Sequence, residues 1–272
     1  MAKKKPEVEV NEDGEEVMSL NDHLRELRNR ILICLAFVIV GFLICFSNAE
    51  TIIDVLTAMA LKSGYTFVTL TPQELLIQYM RVGLLGAIMV SAPVLGYQLY
   101  SFVQPGLRKN ENAFFGCALI AGFLCFLVGV TFAHKISMPF MLDFLIKLNN
   151  TDYISASISI ENYLSFVLTV YIIFGIVFEM PVVSVILTQF GLLKPSWLVK
   201  GRSVAIIACF FLAAVITPPD IVSQIMVAIP MILLYQLSIY LTKFFYKAKV
   251  ARDPYATDEE LAEAGIRKKK SK

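Results

Sequence analysis

Residues 163–190 read YLSFVLTVYIIFGIVFEMPVVSVILTQF, and their only charged side chain is Glu179. An α-helix rises about 1.5 Å per residue, so this stretch would be about 42 Å long. The hydrocarbon core of a bilayer is about 30 Å thick and needs roughly 20 apolar residues. The stretch therefore predicts a membrane-spanning helix, and the fold depends on how many others accompany it.

Five further apolar stretches accompany it. The 272-residue chain is 57% hydrophobic with a mean hydropathy of +0.68, which exceeds what a water-soluble domain of this size can bury. We expect an all-α integral membrane protein. The first span can begin earlier than its apolar run, because Leu20, Leu24 and Leu27 share a helical face, and the fifth is short for a crossing. The spans are predicted at about 31–47, 82–103, 113–133, 163–190, 203–216 and 221–241.

Lysine and arginine are distributed unevenly about these spans. Of the 24, all but four lie on the side that holds both chain ends; the exceptions are Lys62, Arg81, Lys135 and Lys147. The positive-inside rule therefore places both termini in the cytoplasm. The outer side has two longer connections, about 48–80 and 134–162, and we expect short surface helices in the first.

The ends of the chain differ in composition from its middle. Residues 1–18 and 244–272 are expected to be charged cytoplasmic tails around a six-span domain at 19–243. In the first tail, basic residues 3–5 are followed by acids and not by an apolar run, which argues against a signal peptide and predicts disorder.

No residue pattern typical of catalysis, a metal site, a cofactor or nucleic-acid binding is present. Phosphate-loop, zinc-protease and nucleophile-elbow motifs are missing from the sequence. The cysteines lie in apolar stretches without metal-ligand spacing and are interpreted as small hydrophobic side chains. They are Cys34, Cys45, Cys117, Cys125 and Cys209.

Two acids stand near the predicted cytoplasmic face. Glu26 precedes the first span in a stretch where Asp22, Glu26 and Arg30 recur at four-residue spacing, which fits a surface helix with internal ion pairs. Glu111 follows the helix-breaking Pro105-Gly106 and would favour the start of the third span through the helix dipole. Alternatively, both carboxylates would suit a ligand with arginines, because a guanidinium pairs with a carboxylate through a two-pronged fork.

Glu179 is the least expected residue of the chain. It lies near the middle of the fourth span, where an acid is costly unless it is protonated or paired. Pro181, two residues later, leaves the carbonyl of Val177 without its helical partner. The acid either bonds a neighbouring helix or serves a proton relay, a substrate path or a contact with a partner helix.

The short turn before the last span has a strong helix-start pattern. We predict Thr217 as the N-cap residue, Pro218 in the first helical position and Asp220 in the third. Gln224, one turn further, would hydrogen-bond within the bundle.

Five of these segments, in this order, resemble the TatC family, the multi-span core of the twin-arginine protein translocase. The resemblance runs from about Ser19 to Lys243. Met59 departs from the family, which tends to have proline in the corresponding outer stretch. The matching segments are His23-Leu24-x-Glu26-Leu27-Arg28-x-Arg30, Ser91-Ala92-Pro93, Phe102 to Glu111, Phe178-Glu179-x-Pro181 and Thr217-Pro218-Pro219-Asp220 with Ser223-Gln224.

The resemblance implies a function that composition does not. Such proteins bind paired-arginine signal peptides of folded cargo at the cytoplasmic face of a bacterial inner membrane. They recruit single-span partners of the TatA and TatB type, associate with further copies in a larger complex, and use the proton-motive force. By resemblance, Glu26 and Glu111 would form the signal-peptide site with Arg28, Phe102, His23 and Leu27.

The resemblance also assigns a second site and a shape. Glu179 and Pro181 would face the concave side of a cup-shaped bundle and contact a partner helix. Asp220 and Gln224 would lie near the outer end of that region.

Two other functions are compatible with the sequence. A proton-coupled transporter of small solutes would use Glu179, although transporters usually show repeat symmetry, and none is evident. In a structural membrane scaffold, Glu179 would only bond between helices, and Glu179→Gln would be silent.

Overall fold

The computed structural model describes residues 9–10, 16–17, 20–104, 109–149, 157–217, 220–252 and 257–266, and these are mainly helical. The expectation of an all-α chain is confirmed. Most of the expected disordered tail 1–18 lies outside the described residues. The helices are α1 (Leu20–Ser47), α2 (Ala49–Lys62), α3 (Glu74–Val103), α4 (Lys109–Phe132), α5 (Met138–Asn149), α6 (Ile160–Gln189), α7 (Pro195–Lys200), α8 (Arg202–Ile216), α9 (Ile221–Arg252) and α10 (Asp258–Glu263).

Two pairs of short strands complete the described elements. Strands β1 (Glu9–Val10) and β2 (Glu16–Val17) are antiparallel, whereas β3 (Thr66–Val68) and β4 (Ser157–Ser159) are parallel. A π-helical turn over Ala133–Ser137 joins α4 to α5.

Each predicted span is helical. Five helical stretches in the described part of the chain, within α1, α3, α4 with its continuation, α6 and α9, are long and apolar enough to cross a membrane. Helix α8 has 15 residues, which corresponds to about 22 Å and is shorter than the ~30 Å hydrocarbon core. Its shortness was expected from the sequence.

The spanning helices pack in neighbouring pairs. Helix α1 lies along α3, α4 along α6, and α9 along both α6 and α8. Glycines permit the close approach of α4 to α6. A Cβ atom added at Gly129 would lie 2.8 Å from the Phe174 carbonyl oxygen, well inside van der Waals contact.

The buried core centres on α6. Phe174, Leu164 and Val170 of this helix are fully buried, and they join Met138 of α5 and Val227 of α9 in one cluster. Many large apolar side chains of the other spans are exposed, including Leu43, Ile207 and Leu233. An apolar surface of this extent is what lipid, and not water, would cover.

The connections on the side assigned to the exterior are compact. The predicted short helix is present as α2, and the Tyr163 hydroxyl donates to the Leu56 carbonyl oxygen at 2.7 Å. The β3–β4 pair joins this connection to the one before α6.

The last span continues beyond its apolar part. Helix α9 runs to Arg252, past the predicted boundary at 243, and Lys249 Nζ donates to the Gln189 carbonyl oxygen at 2.6 Å. Helix α10 then begins with a capping box between Thr257 and Glu260. The hydrogen bonds from Thr257 hold the pKa of the Glu260 carboxyl below its usual value.

Candidate functional site

Arg30 connects the N-terminal end of α1 to the C-terminal end of α3. Its guanidinium pairs with Glu26 one turn earlier and donates to the Ser101 carbonyl oxygen at 2.9 Å and to Gln98 Oε1 at 3.3 Å. Both charged side chains are mostly shielded, with 21% of Arg30 and 24% of Glu26 exposed. The ion pair predicted from the spacing is therefore present, and it also joins two helices.

The Glu26 carboxylate is only partly satisfied. Oε1 accepts the hydrogen bonds from Arg30, whereas Oε2 is buried without a hydrogen-bond partner among the described residues. A carboxylate oxygen normally accepts hydrogen bonds, so a buried unpaired one marks a place for a further donor.

The other residues predicted for the signal-peptide site are distributed around Glu26. Leu27 and Phe102 are half-buried, and Phe102 follows Ser101 at the end of α3, whereas Arg28 is exposed. His23 lies in α1, and Glu111 lies in the first turn of α4. The side chains of His23 and Glu111 lie outside the described residues, so the grouping of Glu111 with Glu26 stays a prediction.

Sequence reasoning missed Gln98 and Ser101 as partners of Arg30. They lie 68 and 71 residues away along the chain. The available signal was a glutamine in an apolar span, which usually finds a partner within the bundle.

Glu179 faces an open groove between α3, α4 and α6. It lines a cavity of about 420 Å³ with otherwise mostly apolar walls, including Ala92, Gly96 and Phe123. No hydrogen bond or ion pair joins its carboxyl group to the described part of the chain. A second cavity of about 460 Å³ shares these three wall residues, so the two form one groove.

Gly122 of α4 lies against the Glu179 carboxyl group. A Cβ atom added at Gly122 would lie 2.9 Å from Glu179 Oε2. The missing side chain therefore gives the carboxyl group its place on the groove wall. Pro181 is buried in α6, and its carbonyl oxygen accepts from Ser184 Oγ at 2.9 Å.

The start of α9 differs from the prediction. Helix α9 begins at Ile221, and Asp220 Oδ1 accepts from the Ser223 backbone nitrogen at 2.6 Å. The prediction of Thr217 as the cap was wrong, because Thr217 Oγ1 instead donates to the Ala213 carbonyl oxygen at the end of α8. Pro218 lies outside the described residues.

Gln224 Nε2 donates to the Phe210 carbonyl oxygen at 3.0 Å, as expected of a bond within the bundle.

The candidate residues occupy three levels of the bundle. Glu26 adjoins the end of α3, Glu179 faces the middle of α4, and Asp220 lies at the opposite end, before α9. Within the described ranges, no group of three His, Cys, Asp or Glu side chains is placed to hold a metal ion.

Comparison with known proteins gives the family. The family model described as the Sec-independent protein translocase protein TatC matches residues 22–230. This chain belongs to the TatC family. The matched region contains the first five predicted spans and the beginning of the sixth. It also contains Glu26, Glu179 and Asp220.

Two curated TatC proteins are similar over nearly their whole length. The Sec-independent protein translocase protein TatC of Aquifex aeolicus is 35% identical over 235 residues, which cover 85% of this chain and 98% of that protein. TatCy of Bacillus subtilis is 33% identical over 245 residues, covering 90% and 96%. The similarity therefore extends over most of this chain and nearly the whole of each relative.

A solved structure described as the twin-arginine translocase receptor TatC has the same fold. It is 36% identical, with a TM-score of 0.73, over 82% of this chain and 99% of that one. A second, solved in the detergent DDM, has a TM-score of 0.74 at 35% identity. The predicted six-span helical membrane fold is confirmed, with α8 as the short fifth span. This TatC chain is thus a membrane component of a protein translocase.

Proposed function

We propose that this chain is the receptor subunit of a twin-arginine translocase and binds paired arginines of signal peptides at its cytoplasmic face. The observation that carries the proposal is the Glu26 carboxylate. One of its oxygens is fixed by Arg30, and the other is buried without a hydrogen-bond partner in the described part of the chain. The similar structure described as a twin-arginine translocase receptor supports the same role.

The geometry around Glu26 favours a guanidinium ligand. Arg30 is itself fixed to α3 by Ser101 and Gln98, so the carboxylate is held in place before a ligand arrives. Preorganisation of this kind lowers the entropy lost on binding. An incoming guanidinium would donate to Oε2, the oxygen that Arg30 leaves unpaired.

A second acid is needed for two arginines. The Glu26–Arg30 pair is electrically neutral as a unit, so it gives little net attraction for two positive charges. Glu111, in the first turn of α4 after the loop that follows Phe102, would supply the missing negative charge. We therefore assign Glu26 and Glu111 together to the site, with Arg28, Phe102, His23 and Leu27 around them.

The groove at Glu179 suits a partner helix. Its apolar walls would pack against a single transmembrane span, and the unpaired carboxyl group would bond a polar group of that span. We assign this groove to TatA- or TatB-type subunits, with Pro181 shaping α6 and Asp220 and Gln224 near the outer end. Cargo would cross the bacterial cytoplasmic membrane under the proton-motive force, and both chain termini would face the cytoplasm.

Binding of a labelled twin-arginine signal peptide to the purified protein in detergent tests the receptor role. The control is the same peptide with both arginines changed to lysine, which keeps the charge and loses the fork. Clear preference for arginine is expected. Equal affinity for the two peptides, or no binding of either, would contradict it.

A further inference from the structure

A separate pocket, away from the Glu179 groove, lies at the C-terminal end of α9. Asp220 lies at the other end of this helix. The pocket has a volume of about 350 Å³ and is lined by Pro195 of α7, by α9 and by the segment after α10. Its polar wall residues are Lys243, Lys247, Tyr246 and Glu263. The volume falls in the range of roughly 300–1,000 Å³ that is typical of small-molecule sites.

A contact between α10 and α7 bounds one side of the pocket. Glu263 Oε1 accepts from the Ser196 backbone nitrogen at 3.2 Å, which holds α10 beneath the end of α9. The other oxygen of this carboxylate makes no hydrogen bond to a described residue. The pocket therefore has the Glu263 carboxylate as a hydrogen-bond acceptor on one wall and Lys243 and Lys247 as cations on the other.

Tyr246 is the buried polar residue of the pocket. The residue is 7% exposed, lines the pocket, and its hydroxyl has no hydrogen-bond partner among the described residues. A buried hydroxyl is costly to leave unpaired, and a phenol donates its proton readily. The Glu263 and Glu260 carboxylates lie near enough to interact with Tyr246 electrostatically, but neither accepts a hydrogen bond from it. The hydroxyl is therefore available to donate to a ligand.

Two lysines supply the charge for an anionic acceptor. Lys243 and Lys247 lie one turn apart on α9, are exposed, and form no hydrogen bond or ion pair with the described residues. Three donor side chains around one pocket suit a phosphate group, which accepts several hydrogen bonds and is stabilised by positive charge.

The pocket lies at the level of lipid headgroups. The apolar part of the last span ends near Leu241, and the aromatic residues Tyr240 and Phe244 are 62% and 68% exposed. Exposed aromatic residues at the end of a span are typical of the membrane interface. The charge distribution assigns this interface to the cytoplasmic leaflet.

We propose that this pocket binds the phosphate of an anionic phospholipid, with Lys243, Lys247 and the Tyr246 hydroxyl as donors. The free oxygen of Glu263 is matched by a headgroup that has a hydroxyl beside its phosphate, as phosphatidylglycerol does. The binding stabilises the packing of α10 under α9. The proposal is independent of the receptor role, because it uses none of its residues.

Native mass spectrometry of the full chain tests the proposal. The protein is mixed with equal amounts of phosphatidylglycerol and phosphatidylcholine of the same acyl chains, and the retained lipid is counted. We expect preferential retention of phosphatidylglycerol. A juxtamembrane lysine contributes about fivefold in affinity, so the double change Lys243→Gln and Lys247→Gln should weaken retention by about 25-fold.

Matched variants separate a specific site from general charge. Lys62→Gln with Lys135→Gln removes the same charge from exposed positions at the other end of the bundle and should leave retention unchanged. Tyr246→Phe keeps the ring and should lower phosphatidylglycerol retention severalfold. Equal retention of the two lipids, equal loss in both lysine pairs, or no effect of Tyr246→Phe would overturn the proposal.

Inorganic phosphate distinguishes the two sources of the ligand. Phosphate at constant ionic strength should compete with phosphatidylglycerol only weakly, because it lacks the acyl chains that anchor a lipid. If phosphate alone bound through Lys243 and Lys247 while phosphatidylglycerol showed no preference over phosphatidylcholine, the lipid assignment would be wrong.

Discussion

At the scale of single residues, Arg30 has two roles that the sequence does not separate. Its four-residue spacing from Glu26 indicates an ion pair within one helix, which is worth about 0.3–0.5 kcal/mol. Its bonds to Ser101 and Gln98 also fix α1 to α3, so the position of Glu26 depends on a contact between helices.

Arg30→Lys should therefore lower the apparent melting temperature in detergent. Lysine keeps the charge but cannot reach Glu26, Ser101 and Gln98 at once, so we expect a loss of about 1 kcal/mol of stability. Arg28→Lys is the control, because Arg28 is exposed on the same helix. Equal melting temperatures for the two variants would contradict this role of Arg30.

The Glu179 carboxyl group depends on a glycine. Gly122→Ala would place a Cβ atom 2.9 Å from Glu179 Oε2 and displace the carboxyl group. We expect recovery of a tagged TatA-type partner with the chain to fall severalfold, as with Glu179→Ala, while signal-peptide binding stays near that of the parent. Co-purification measures this.

Gly96→Ala is the matched control for that experiment. Gly96 lines the same groove, but a Cβ atom added there meets nothing within 4 Å. If the Gly96 and Gly122 variants recruited the partner equally well, the placement of the Glu179 carboxyl group against Gly122 would not matter for recruitment.

At the scale of single elements, α9 depends on its cap. Asp220→Ala removes the acceptor for the Ser223 backbone nitrogen and should destabilise the protein by about 1 kcal/mol. Asp220→Asn keeps an acceptor and should melt close to the parent in a thermal unfolding experiment. A destabilised Asn variant would show that the charge, and not the cap, matters.

Sequence periodicity predicted the elements well, because lipid imposes one requirement on every span. A crossing helix must be apolar over about 20 residues, so the predicted span at 163–190 corresponds closely to α6. The predicted span at 82–103 ends with α3, but α3 begins eight residues earlier, at Glu74. The early start of α1 was visible as a leucine stripe leading into its span.

Features that depend on contacts between distant residues were not predictable. The bond between Arg30 and Ser101 joins residues 71 positions apart, and the bond from Ser196 to Glu263 joins α7 to α10 across 67 positions. Thr217 was mistaken for a cap because Thr217 and Asp220 are both good N-cap residue types, and spacing alone does not decide which of them accepts from the helix.

At the scale of the whole molecule, the exterior of the bundle is apolar, and the groove that contains the Glu179 carboxyl group opens onto it. The exposed apolar side chains of α1, α3 and α8 account for the excess hydrophobicity of the sequence, and lipid would cover them. The groove at Glu179 lies within this exterior, so a partner would enter it sideways from the bilayer. The proposed signal-peptide site instead lies at one end of the bundle.

The proposed topology predicts which end of the bundle faces outward. In a variant with its five native cysteines replaced by alanine, Lys62→Cys should react with a membrane-impermeant maleimide while the cytoplasmic membrane is intact. Lys200→Cys should react only after permeabilisation. Both positions are exposed, so a difference in labelling reports only the side of the membrane on which each position lies. The opposite labelling pattern would invert the topology and move Glu26 away from the cytoplasm.

The most direct test of the account is the affinity of a twin-arginine peptide for Glu26→Gln and Glu111→Gln, beside Glu50→Gln, which changes an exposed acid on α2. Glutamine keeps the shape of the side chain and removes its charge. Loss of a charge-assisted pair costs about 1.5–3 kcal/mol, so each of the first two variants should bind at least tenfold more weakly. Glu50→Gln should bind like the parent. Unchanged affinity in both the Glu26 and Glu111 variants would contradict the receptor assignment.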